Sequence, residues 1–287
     1  MNWKQTLFWS FSTAAIFYYF LLFGVFVFVG QEEMQLFIPE WWYIREFLFQ
    51  PGGFCAVAGQ WIIQYYRQPM SAVVLHTVLL VGCGFMVYRI LRCFSDKTYL
   101  LFLSLLPVLY LVKMSIHGEY LVDGTVGVVL MLLALSVSLK VRRAGSIAGY
   151  GIASTLFLCG LTGLLSVCYA FLYTLLALLR YKTSRQRLAA AACLIPALFI
   201  YLFSGWLGIP VPLSDGWMPE AYLEIQRLPH YYMYRVWTFF TLSIVGVALF
   251  ARFVPVIGEK SKWMDRVALV VCLITALVSI RFCLPEP

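Results

Sequence analysis

Two adjacent carboxylates, Glu32 and Glu33, follow directly on an apolar run over residues 6–29. A carboxylate at such a boundary can act as a general base toward a hydroxyl acceptor, so these two are the candidate catalytic pair. A second constellation joins His117, Glu119 and Asp123. With a helix beginning near Gly118, Glu119 and Asp123 are four apart and share a face. Like charges at a low-dielectric boundary either raise one pKa or bind a cation. His117 would complete a site for a hard divalent ion, Mg or Mn; ordinary solvated loop charge is the competing reading. Arg45, Arg67 and Lys113 are cations able to neutralise a phosphate, and Gln64 and Asp215 add polar groups for binding a substrate.

What positions these residues is written in the composition. The chain of 287 residues is 62% hydrophobic and 12% charged, with a mean hydropathy of +0.86. Soluble domains carry roughly 25% charged residues, so most of this chain meets lipid. The net charge of +8 is spread in short runs between apolar segments. That pattern excludes the clustered basic face of a nucleic-acid binder. Runs of about 18 apolar residues are candidate spanning helices, and nine are expected: 6–29, 70–90, 98–115, 122–139, 146–162, 164–180, 188–208, 235–255 and 266–284. The division between the fifth and sixth falls at the turn Gly160-Leu161-Thr162-Gly163. The fold class is therefore all-α, a polytopic transmembrane helix bundle forming one membrane domain over residues 1–287.

Orientation follows from Lys and Arg. With the amino terminus inside, fifteen cations fall on the inner side and six on the outer, while ten acids lie outside and three inside. All three histidines, His76, His117 and His230, fall toward the outer side. The first run lacks a small-residue cleavage site and reads as a retained anchor. The first outer loop should hold interfacial helices: Pro39 suits a helix start, Trp41, Ile44 and Leu48 line one face through Gln50, and Pro51-Gly52-Gly53 ends it. A second short helix, Phe54 to Tyr66, should return toward the next span. Residues 209–234 form the other long outer loop. Pro107 and Pro196 sit within spans and should bend them, and the eight cysteines form no metal spacing. No Walker A, GxSxG, HExxH or dinucleotide-binding glycine pattern occurs. No span carries a mid-membrane charge, which disfavours a lipid or small-solute transporter.

Gln31-Glu32-Glu33-Met34-Gln35-Leu36-Phe37, then Pro51-Gly52-Gly53, then Gln64-Tyr65-Tyr66 with Pro69 and Ala72, resemble a family of uncharacterised polytopic membrane proteins of Bacteroidetes. The likeness covers about 45 residues. It implies a multi-pass protein of the bacterial inner membrane, and, since the family's pattern belongs to longer chains, a further C-terminal part. More loosely, the chain is similar to GT-C-class membrane glycosyltransferases, which place an acid in the first outer loop beside a lipid-phosphate donor site. That class typically has Asp there, and this chain has Glu32 and Glu33. The similarity implies an outer-leaflet enzyme acting on a polyprenyl-phosphate-linked sugar or glycolipid. The alternative is a non-catalytic membrane subunit that docks a membrane protein partner.

Overall fold

The computed structural model describes residues 3–34, 37–116, 120, 122–163, 165–203, 231–253 and 259–281. Among them there are helices and no strand. In chain order these are α1 (Trp3–Phe23), α2 (Val25–Met34), α3 (Trp41–Leu48), α4 (Gly53–Ile63), a 3₁₀ turn (Gln64–Arg67), α5 (Pro69–Leu91), α6 (Tyr99–Leu103) and α7 (Leu106–Met114). Then follow α8 (Val122–Ser138), α9 (Ala144–Thr162), α10 (Leu165–Arg180), α11 (Ser184–Ala191), α12 (Leu194–Leu202), α13 (Tyr231–Phe253) and α14 (Glu259–Arg281). Helices overlap each of the nine apolar runs. Four are long and apolar enough to cross a membrane: Gln5–Phe23, Pro69–Leu91, Ala144–Thr162 and Ser184–Leu202. Tyr99–Met114, Val122–Ser138, Leu165–Arg180 and Phe239–Phe253 are shorter apolar helices.

Two compact units interleave along the sequence: residues 1–35, 62–120 and 238–287 form the first, and 36–61 with 121–237 the second. In the first, α5 packs against α1, α2 and α7, and α14 packs on α6 and α7. Trp9 lies at its centre, packed against Phe8, Phe85 and Tyr88. The Cys272 thiol donates to the Phe102 carbonyl at 2.9 Å and ties α14 to α6. In the second unit α9 and α10 form an antiparallel pair flanked by α8, α11 and α12. Its core is built from Tyr169, Tyr173, Leu172, Leu176 and Ile147, all fully buried. Ser138 and Tyr169 share a hydrogen bond of 2.6 Å that joins α8 to α10.

The prolines act where they were expected to. Helix α6 stops at Leu103 and α7 restarts at Leu106, with Pro107 in its first turn. Helix α11 stops at Ala191 and α12 restarts at Leu194, two residues before Pro196. A proline lacks the N–H that would bond four residues back, and its ring crowds that carbonyl. The apolar stretches Tyr99–Met114 and Ser184–Leu202 are therefore each built in two pieces.

The glycine breaks answer one another. Helix α9 ends at Thr162, with Gly163 at φ 61°, and α10 begins two residues later. Gly52 has φ 87°, and its N–H donates to the Gly160 carbonyl at 3.1 Å. A Cβ on Gly53 would stand 1.6 Å from the Phe47 carbonyl oxygen, so no side chain fits. The Pro-Gly-Gly stretch thus folds α3 back onto α4 and seats the turn on the end of α9. A substitution Gly163→Ala forces an L-residue to positive φ and should cost about 1 kcal/mol. The check is thermal unfolding in detergent, with Gly149→Ala, where nothing lies within 4 Å of a new Cβ, as the comparison.

Candidate functional site

In the first unit the chain concentrates its buried polar side chains at the end where α2 finishes and α5 begins. Phe20 and Phe28, both fully buried, flank Gly24, whose missing side chain lets them meet; a Cβ there would be 2.8 Å from the Phe28 ring. The Phe28 ring stacks on His76 of α5, with centroids 4.2 Å apart and 8° between planes. The Tyr66 hydroxyl of the 3₁₀ turn shares a 2.5 Å hydrogen bond with His76 Nε2, and His76 Nδ1 is buried without a partner among the described residues. Gln31, fully buried, donates from Nε2 to the Tyr120 carbonyl at 2.8 Å. These contacts hold α2, the turn, α5 and the segment after α7 together at one end.

The candidate carboxylates ride on that frame. Helix α2 runs on to Met34, five residues beyond the expected end of the run, so Glu32 and Glu33 occupy its last turn and not a loop. Glu32 is half-buried and Glu33 exposed; neither has a hydrogen bond or ion pair among the described residues. Acids are disfavoured beside the negative end of a helix dipole, so this placement gives α2 no help. Helix α2 packs on the 3₁₀ turn, which carries Gln64 and Arg67, both exposed. Lys113 closes the last turn of α7, which packs against α5.

Asp123 and Arg45 belong to the second unit. Asp123 is 2% exposed in the first turn of α8, where the helix dipole favours a carboxylate. Gly59 of α4 lies against it: a Cβ there would sit 2.6 Å from the Asp123 Cβ and 3.0 Å from its Cα. Cys55, one turn earlier on α4, approaches the Gly127 position at 3.7 Å. Helix α8 starts at Val122, and Tyr120 before it is irregular. The helix face expected to join Glu119 to Asp123 falls partly outside the described residues. His117, Glu119 and Asp215 lie outside the described residues. Among the described residues no three of His, Cys, Asp and Glu gather into a metal-sized group, and the seven described cysteines are free thiols.

Arg45 stands on α3, none of whose residues is buried, and its guanidinium lies 5.8 Å from the Phe49 ring. Trp41, Trp42 and Phe49 are well exposed. The Tyr43 hydroxyl donates to Gln60 Oε1 at 2.9 Å, pinning α3 to α4. Sequence reasoning missed the Tyr66–His76 pair, Gln31 and Gly59. The available signal was a His inside the expected span 70–90 and a Gln just after the run 6–29, neither of which points to its partner.

These features define an all-helical protein with helices long and apolar enough to cross a membrane. The chain belongs to DUF6057, a family of unknown function, whose model matches residues 1–281. The family match thus covers nearly the whole chain. No curated protein and no solved structure matches it.

The Tyr66–His76 bond is testable as a pair. Tyr66→Phe leaves a buried imidazole nitrogen unmatched and should cost about 1–3 kcal/mol. The double variant Tyr66→Phe/His76→Phe should recover part of the loss, because neither buried polar partner then remains. Thermal unfolding of both single variants and the double in detergent gives the coupling; strict additivity would refute it.

Proposed function

We propose that the protein is a membrane-embedded enzyme acting in the outer leaflet on a lipid-linked sugar or glycolipid. The reading takes nine crossings with the amino terminus inside, supported by the fifteen-to-six division of Lys and Arg. The observation that carries it is the pair of carboxylates in the last turn of α2, without hydrogen bond or ion pair among the described residues, on a helix packed against the turn that presents Gln64 and Arg67. Glu32 or Glu33 would take the proton of an acceptor hydroxyl. Arg67 and Lys113 would neutralise the phosphate of the leaving group, and Gln64 would hold the sugar or headgroup. His117, Glu119 and Asp123 would bind Mg or Mn, whose donors are of the hard oxygen type. An acid at a helix end that repels it is a cost the fold does not need, which is what a catalytic group looks like.

A second reading, a non-catalytic subunit of an envelope complex, is favoured by one feature. Helix α3 buries none of its residues and exposes Trp41 and Trp42, a surface suited to the headgroup layer or to a partner helix.

The variants Glu32→Gln, Glu33→Gln and Arg67→Gln separate the two. In membranes supplied with a radiolabelled polyprenyl-phosphate sugar, an enzyme should lose at least about 100-fold in turnover in one Glu variant and in Arg67→Gln. Elution in detergent should be unchanged. Full activity in all three, or a stoichiometric partner whose capture survives them, would leave the subunit reading standing. If a cation takes part, EDTA should abolish turnover and Mg or Mn restore it.

A further inference from the structure

The second unit separates its charges by end. Its three described acids, Glu40, Glu46 and Asp123, sit where α3 and α4 fold back, α9 ends and α8 begins. At the other end, where α8 leads into α9 and α10 into α11, there are only cations. Lys140, Arg142 and Arg143 occupy the first connection, and Arg180, Lys182, Arg185 and Arg187 the second. No acid occurs from residue 124 to residue 214.

The two connections are tied into one surface. The Tyr181 hydroxyl donates to the Val141 carbonyl at 2.7 Å, and Gln186 Nε2 to the Arg142 carbonyl at 2.7 Å. Arg187 Nε donates to the Tyr181 carbonyl at 2.8 Å, fixing the turn into α11. Two helix N-termini open onto this surface. Helix α9 follows Arg143 and α11 follows Thr183, and neither cap residue makes a side-chain hydrogen bond to its helix. Positive helix ends and free N–H groups favour anions. Independently, Arg180 Nη1 is buried with no hydrogen-bond partner among the described residues. A buried guanidinium nitrogen left unmatched is costly, and a phosphate oxygen is the partner its geometry suits.

Membrane sidedness asks for cations on one side but not for this arrangement. In the first unit the corresponding basic connection carries an acid, and Arg92 Nη2 bonds Asp96 Oδ1 at 2.9 Å. Among the described residues the second unit holds these cations without any such counter-charge, at an end where Leu188 is 76% exposed.

We propose that this end of the second unit is a binding site for the phosphate headgroup of an anionic phospholipid. Helices α9 and α11 offer it their N-termini, and the arginines flanking them clamp it. The site uses none of the residues assigned to catalysis above, so it stands or falls separately from that reading.

The test uses the full chain purified in a neutral detergent and titrated with phosphatidylglycerol or with phosphatidylcholine. Thermal unfolding and the lipid retained in native mass spectrometry are the readouts. Phosphatidylglycerol should be retained and should raise Tm, and phosphatidylcholine should do neither. The exposed triple variant R142Q/R143Q/R185Q should weaken phosphatidylglycerol binding on the order of 100-fold. The charge-keeping R142K/R143K/R185K should stay within a few-fold of wild type. R89Q/K97Q, on the first unit's basic connection, should bind as wild type. Wild-type affinity in the glutamine triple, equal retention of both lipids, or equal loss in R89Q/K97Q would overturn the proposal. So would stabilisation by inorganic phosphate alone that matches phosphatidylglycerol and depends on the same arginines, since the occupant would then be a free anion.

Discussion

The constraint on which this structure rests is the backbone's need for hydrogen bonds in a chain with little water to supply them. Inside an apolar medium each unmatched N–H or C=O costs on the order of several kcal/mol, so the described apolar runs are largely helical. Interruptions survive only where something replaces the lost bond or where no donor existed. Pro107 and Pro196 bring no N–H to lose. At Gly52 the freed N–H finds the Gly160 carbonyl, so two breaks distant in sequence complete each other. The short helix α3 turns back at this junction, and α4 is thereby laid along α8, where Gly59 admits the backbone of Asp123.

The same constraint explains how much could be read in advance. Apolar runs demand helices, so every one of the nine is helical; the glycine turn at residues 160–163 and the two prolines mark breaks that occur. Those signals are local. What failed depended on neighbours. Helix α2 keeps going to Met34 because Phe28 and Gln31 are buried against α5 and Tyr120, which the run of polar residues from Gln31 could not announce. The Tyr66–His76 bond joins residues whose expected places, an interfacial helix and a span, gave no reason to meet. For the candidate site, Glu32, Glu33, Gln64 and Arg67 were legible as types, and the packing of α2 on the 3₁₀ turn puts their carriers side by side. Asp123 was legible as an acid but not as a buried one.

Burial sorts the polar residues into two kinds. Gln31, Tyr66, His76, Ser138 and Tyr169 have hydrogen bonds inside the protein and act as fasteners between separate segments. Among the described residues Glu32, Glu33, Arg67 and, apart from Arg187, the cations between α8 and α11 do no fastening of comparable kind. Groups kept free of structural duty are the ones able to meet a ligand, and here they lie at element ends, as binding residues on rigid scaffolds commonly do.

The interleaving of the two units has a consequence for how the molecule is made. Helices α1, α2 and α5 to α7 leave the ribosome early, yet the partners that cover α6 and α7 are in α14, some 170 residues later along the chain. The second unit, drawn mainly from the middle of the sequence, can close first. Until synthesis nears its end, the earliest-made helices must wait in the bilayer with a face uncovered, open to insertion chaperones and to proteolysis.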